Sequence, residues 1–160
     1  MLGSVAPFEL TAQTGQPFDS RVLDGKIWVA DFFFTSCNGP CPRMSAQMRQ
    51  IQDRLRDAPD VRFVSVTVDP ERDNPEVLAA YAKRQGARDG VWHFLTGEKE
   101  KLNDLYRYQF KLGYVDGSLE HSTRFVLVDR TGRIRGYYGS FDDDMVTKVV
   151  ADARRLVAES

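Results

Sequence analysis

The chain has no long apolar run, no strong excess of charge and little cysteine. The absence of an apolar run of about 20 residues argues against a transmembrane helix within these 160 residues. A net charge of −1 gives no field across the molecule that would attract nucleic acid or a membrane surface. Two cysteines do not identify the redox compartment, because reactive pairs occur on both sides of a membrane.

The length fits one domain, 1–160, which is long enough to bury a complete core. We find no internal repeat, low-complexity segment or linker in it. Residues 1–7 are interpreted as a leader remnant or a flexible segment.

Hydrophobic patterning predicts an α/β fold, with a mixed central sheet flanked by helices and a β-hairpin at the N-terminus. Pro7–Leu10 and Pro17–Asp19 are the predicted arms of that hairpin. Further strands are predicted at 26–34, 61–68, 91–95, 123–128 and 133–138, and helices at 42–56, 75–85, 98–108 and 142–158. A thioredoxin-like arrangement fits this order best.

The only two cysteines lie where a predicted buried strand gives way to a predicted helix. Cys37 follows the apolar strand after two polar residues, and Cys41 stands next to Pro42 at the helix start. Unpaired N–H groups and the helix dipole favour a thiolate there, so such cysteines often act as nucleophiles or metal ligands. The spacing lets both thiols face one point, although a buried apolar role or a structural disulfide also fits it.

Two histidines are candidates for a third ligand. His93 lies within a predicted strand among aromatic neighbours, and we interpret it as a packed strand residue. His121 lies between a glycine-containing loop and a predicted strand, a place where functional residues are common, but its position alone leaves its role open. Two thiolates and one imidazole fall short of a structural zinc site and suit Cu(I), or Cu(II) with an added weak ligand.

Three segments together resemble the Sco/SenC family. They are FFTSCNGPCP at 33–42, VSVTVDPERDNPE at 64–76, and Glu120-His121-Ser122. The resemblance covers the chain from about Phe8 onward. The combination is specific, whereas the cysteine pair alone would not be.

The resemblance implies a thioredoxin-like copper metallochaperone that binds one ion, Cu(I) or Cu(II), through Cys37, Cys41 and His121. It implies a membrane-anchored protein that faces the periplasm or the mitochondrial intermembrane space, and we expect the tether to have been removed from this chain. The implied partner is the cytochrome c oxidase subunit with the binuclear copper centre, or another copper protein. The implied role is copper delivery, reduction of that subunit's cysteines, or both.

Some positions depart from the family pattern. Glu120 stands where the family more often has Asp, and Asn38-Gly39-Pro40 lacks the acidic residue often found there. Asp69 to Asp73 are interpreted as turn and cap residues, although Asp69 could also orient a ligand or attract a partner. The acidic run 142–144 is interpreted as a complement to the dipole of the last helix.

The main alternative is a thiol–disulfide oxidoreductase without metal. Cys37 and Cys41 would then be catalytic, one attacking and the other resolving, and His121 would be dispensable. The two roles can coexist, because copper ligation requires the reduced pair. A peroxidase is a weaker alternative, since a distant histidine gains nothing in that chemistry. The loop 111–119 is a candidate docking surface.

Overall fold

The computed structural model describes residues 2–36, 41–112 and 123–159. Its strands are β1 Glu9–Ala12, β2 Pro17–Asp19, β3 Ile27–Phe33, β4 Val61–Thr67, β5 Trp92–Thr96, β6 Arg124–Val128 and β7 Ile134–Gly139. Its helices are α1 Cys41–Arg54, α2 Pro75–Gln85, α3 Lys99–Asp104 and α4 Met145–Ala158, with a 3-10 turn at Ser20–Leu23 and a π-helical turn at Leu105–Gln109. One mixed sheet contains all seven strands, in the order β2-β1-β5-β4-β3-β6-β7.

The predicted buried strand, β3, lies inside the sheet between β4 and β6. All seven residues of β3 are buried, as expected for a strand covered on both faces. β3 runs parallel to β4, with Phe33 opposite Thr67, and antiparallel to β6. Because parallel strands end at the same edge, the segment after Phe33 and the segment after Thr67 emerge side by side.

Two cores lie on opposite faces of the sheet, because successive strand side chains point to opposite sides. Ile27, Val29 and Phe33 face the layer that contains α1, α2 and α4. Trp28, Ala30 and Phe32 face the layer that contains α3 and the π-helical turn.

Helix α2 matches its predicted bounds at both ends. The Asn74 side chain accepts a hydrogen bond from the Val77 N–H at 2.9 Å, Pro75 occupies the first helical position, and Gly86 ends the helix with φ of 74°. All three are local signals of helix start and stop.

Other boundaries differ from the prediction. The predicted helix 98–108 is α3 followed by the π-helical turn, which closes with a bond from the Phe110 N–H to the Leu105 carbonyl at 2.8 Å. Both residues are buried, so the wider turn keeps this apolar stripe on the sheet. The last helix begins at Met145 rather than at 142, and its N-cap Asp144 makes no side-chain capping bond. The acidic run therefore precedes the first turn.

The N-terminal residues run beside β7. Ser4 bridges Arg133, the Val5 N–H donates to the Gly132 carbonyl at 2.8 Å, and the Ile134 N–H donates to the Gly3 carbonyl at 2.8 Å. Among the residues described, no helix has the length and apolar character needed to cross a membrane.

Candidate functional site

Of the three predicted ligands, the structure describes Cys41. This residue opens α1 and is 1% exposed. Cys37 and His121 lie outside the described residues, as does most of the loop 111–119. In the ranges 2–36, 41–112 and 123–159, no three His, Cys, Asp or Glu side chains form a group able to hold a metal. The site is therefore defined by the elements that hold the flanking residues.

The position of Cys41 follows from the packing of α1. Met44, Met48 and Ile51 recur at helical spacing and are fully buried against the sheet. Cys41 belongs to the same row, so it lies on the core-facing side in the first turn. A thiol there is close to the first backbone N–H groups of the helix and to the positive end of the helix dipole.

Ser140 joins the start of β6 to α1. Its side chain is completely buried, and its N–H donates to the Thr123 carbonyl at 2.8 Å. Its own carbonyl accepts from Arg43 Nε at 3.2 Å and from Gln47 Nε2 at 2.8 Å, and its hydroxyl donates to Gln47 Oε1 at 2.6 Å. Thr123, two residues after His121 in the sequence, is thereby tied to the helix that begins with Cys41.

Asp73 joins the end of β3 to the turn after β4. Its carboxylate is fully buried and accepts from the Thr35 N–H at 3.0 Å, from the Thr35 hydroxyl, and from the Thr67 hydroxyl at 2.6 Å. Thr35 is two residues before Cys37. The turn-and-cap interpretation of Asp69 to Asp73 omitted this contact, because it joins residues 38 positions apart.

Asp69 lies at the end of β4, next to this contact. Its N–H donates to Thr67 Oγ1 at 3.0 Å, while its Oδ2 is buried and, in the described part of the chain, has no hydrogen-bond partner. Arg72 Nε is 3.9 Å from Oδ2. Burial is the main cause of the raised pKa of Asp69, and the charge of Asp73 adds to it.

Asp31, the only charged residue within β3, was not among the predicted site residues. It is 1% exposed, accepts from Ser65 Oγ at 2.5 Å, and Ser65 in turn accepts from Trp92 Nε1 at 3.0 Å. Burial raises the pKa of Asp31 to about 7. A charged residue inside a strand buried on both faces was the signal available in the sequence.

His93 is a packed strand residue, as expected. It lies in β5, and its ring centre is 4.8 Å from that of Phe18. Burial and the charge of Arg62 lower its pKa to about 4. Its imidazole is therefore neutral at physiological pH, on the face of the sheet opposite to α1.

Comparison with known proteins identifies the family. The sequence profile described as SCO1/SenC matches residues 3–158. A relative, the SCO1 protein homolog of Bacillus subtilis, is 30% identical over 156 residues, which cover 94% of this chain and 81% of the relative.

Solved structures share the fold. BsSco, described as a member of the Sco family of cytochrome c oxidase assembly proteins, has a TM-score of 0.87 and 29% identity, covering 100% of this chain and 96% of its own. Yeast Sco1 with copper bound has a TM-score of 0.78 and 23% identity, covering 98% of this chain and 92% of its own. These likenesses confirm the predicted thioredoxin-like fold. This chain belongs to the SCO1/SenC family.

Proposed function

We propose that this chain is a copper metallochaperone. One copper ion is bound by the thiolates of Cys37 and Cys41 and the imidazole of His121, and the protein takes part in assembly of the binuclear copper centre of cytochrome c oxidase. Family membership supports this proposal. So do the descriptions of BsSco as an oxidase assembly protein and of yeast Sco1 with copper bound.

The link made by Ser140 is the observation that carries the proposal. It holds Thr123 against α1, the helix that starts with Cys41. His121 is joined to Thr123 through a single residue, and two residues span at most about 7 Å. This supports the proposal, because Thr123, the first described residue after His121, is held beside the helix that begins with Cys41.

The donor chemistry fits copper. Thiolates and imidazole are the soft and borderline ligands that copper accepts, and Cys41 lies where the helix dipole favours the deprotonated thiol. Two thiolates and one neutral imidazole would leave a neutral site with Cu²⁺ and a single negative charge with Cu⁺. Bound copper is cargo in this proposal, and the protein holds it in a form that the recipient can take.

The remaining expectations belong to the same proposal. The chain forms one thioredoxin-like domain that works in the periplasm or the mitochondrial intermembrane space, tethered to a membrane in its native form. Its recipient is the oxidase subunit with the binuclear copper site, or another copper protein.

Copper titration of the reduced protein under anaerobic conditions tests the ligand set. We expect one Cu(I) or one Cu(II) per wild-type chain, with a thiolate-to-Cu(II) charge-transfer band that is lost in Cys37→Ser and in Cys41→Ser. His121→Ala should weaken binding, whereas the matched control His93→Ala should bind as wild type does. Equal affinity in His121→Ala and wild type would exclude the imidazole from the site.

A thiol–disulfide oxidoreductase is the second candidate. The position of Cys41 at the start of α1 favours it, and BsSco is described as having a disulfide switch. In this reaction one thiolate attacks a partner disulfide and the other resolves the mixed disulfide, so the pair loses two electrons and two protons to the partner. Exchange that persists in His121→Ala, in protein that takes up no copper, would favour this function over the first.

A further inference from the structure

Asp73 is a buried carboxylate that is surrounded by neutral hydrogen-bond donors. It is completely buried, and among the described residues no Lys or Arg forms an ion pair with it. Its charge is met by neutral donors, the N–H and hydroxyl of Thr35 and the hydroxyl of Thr67. A buried charge is costly unless hydrogen bonds satisfy it, so this contact requires three well-placed donors.

The turn that carries Asp73 is fixed at both ends. On one side the Val68 N–H donates to the Phe33 carbonyl at 2.8 Å, which continues the pairing of β3 and β4 past the last strand residue. Within the turn, the Asp73 N–H donates to the Asp69 carbonyl at 2.9 Å. On the other side Asn74 caps α2. The carboxylate is therefore carried by a turn that is hydrogen-bonded to β3 on one side and followed by a capped helix on the other.

Thr35 is the residue before the cysteine segment that this carboxylate binds. The chain leaves β3 at Phe33. Two residues later, the Asp73 carboxylate accepts hydrogen bonds from both the N–H and the hydroxyl of Thr35. Cys37 follows two residues later. The bonds to Asp73 therefore add a fixed point to the segment between the end of β3 and the start of α1.

We propose that Asp73 is a positioning residue for the Cys37–Cys41 pair. By clamping Thr35, it sets the direction in which the chain enters the cysteine segment, and so holds the two thiols ready to bind copper or to form a disulfide together. This inference rests on the proposed function for its copper readout. Its second readout, the redox equilibrium of the thiols, needs no metal.

The test uses Thr35→Val, which keeps the shape of the side chain and the backbone bond but removes the hydroxyl donor. The chain offers a matched control in Thr131→Val. Thr131 donates its N–H at 2.9 Å and its hydroxyl at 2.8 Å to Asp129, a second buried carboxylate, in the turn between β6 and β7. That turn lies at the other end of the strands from Thr35, because Val128 pairs with Trp28 near the start of β3.

We expect both valine variants to lose thermal stability, while only Thr35→Val changes the thiol site. Its copper affinity should fall about tenfold, as is common when a residue that orients a ligand is altered. In copper-free protein, its disulfide should form less readily by about tenfold, which is a shift of about 30 mV towards a more positive reduction potential. Thr35→Ser, which restores the hydroxyl, should recover both values.

Asp73→Asn provides a second variant of the same contact, with Asp129→Asn as its control. It should shift both readouts in the same direction as Thr35→Val. Copper affinity and reduction potential that are unchanged in folded Thr35→Val, or altered equally in Thr131→Val, would overturn the positioning role. Wild-type protein that takes up no copper would overturn the proposed function instead, and a potential that shifts only in Thr35→Val would still support the clamp.

Discussion

Asp31→Asn tests whether a buried carboxyl in β3 makes this protein less stable as the pH rises. The side chain is 1% exposed, and in the described part of the chain no Lys or Arg forms an ion pair with it. Burial raises its pKa from 3.8 to about 7, although the Ser65 hydrogen bond acts in the opposite direction. Asparagine has nearly the same shape, retains an oxygen that can accept from Ser65, and cannot ionise.

The sign of the effect follows from proton binding. Between pH 3.8 and about 7 the folded carboxyl holds its proton while the unfolded one has lost it. The free energy of unfolding therefore falls as the pH rises through this window and is constant above it. For a pKa of about 7, the loss between pH 5 and pH 8 is about 2.5 kcal/mol, and Asp31→Asn should not show it.

Urea denaturation of reduced, copper-free protein at pH 5 and pH 8 measures this loss. The stability of Asp31→Asn relative to wild type should increase by about 2.5 kcal/mol from the lower to the higher pH, with unchanged m-values. Other titrating groups occur in both proteins and cancel in the comparison. A stability difference that is the same at both pH values would refute the reasoning, because it would mean that Asp31 has similar pKa values in the folded and unfolded states.

Two further predictions concern local contacts. Asn74→Ala removes the cap of α2 and should cost about 1 kcal/mol of stability in thermal denaturation; an unchanged midpoint would show that the bond to Val77 contributes nothing. His93 has a folded pKa of about 4 against 6.5, so the unfolded chain binds the extra proton, and wild type loses stability as the pH falls from 6.5 towards 4. His93→Leu should lack that loss, which is about 2 kcal/mol at pH 4.5. Equal acid sensitivity of the two proteins would contradict the burial of this imidazole.

Features that depend on a few neighbouring residues were predictable. The bounds of α2 were correct because Asn74, Pro75 and Gly86 act within one turn of the helix. The hairpin of β6 and β7 was also predicted, since its turn and its alternating strands are continuous in the sequence. The start of α1 was also predicted to within one residue, at 42 where the helix begins at Cys41, because its signals are local as well.

Helix ends without a strong local signal were less accurate. The predicted start of α4 at 142 was three residues early, because an acidic run favours a helix N-terminus without specifying which residue is the cap. The π-helical turn after α3 was missed, since its apolar spacing closely resembles that of an ordinary helix. There the tertiary packing of Leu105, Tyr106 and Phe110 decides the hydrogen-bond pattern.

The sequence alone predicts that a buried strand ends just before a cysteine pair, that a helix follows, and that a histidine is available some eighty residues later. Those properties follow from hydrophobic period, capping residues and donor chemistry, all of which are local. Tertiary contacts alone brought Asp73 to Thr35 and Ser140 between Thr123 and Gln47, and buried Asp31 in the interior. Each of these depends on strand order and register, which bring distant residues together and decide which polar groups are removed from water.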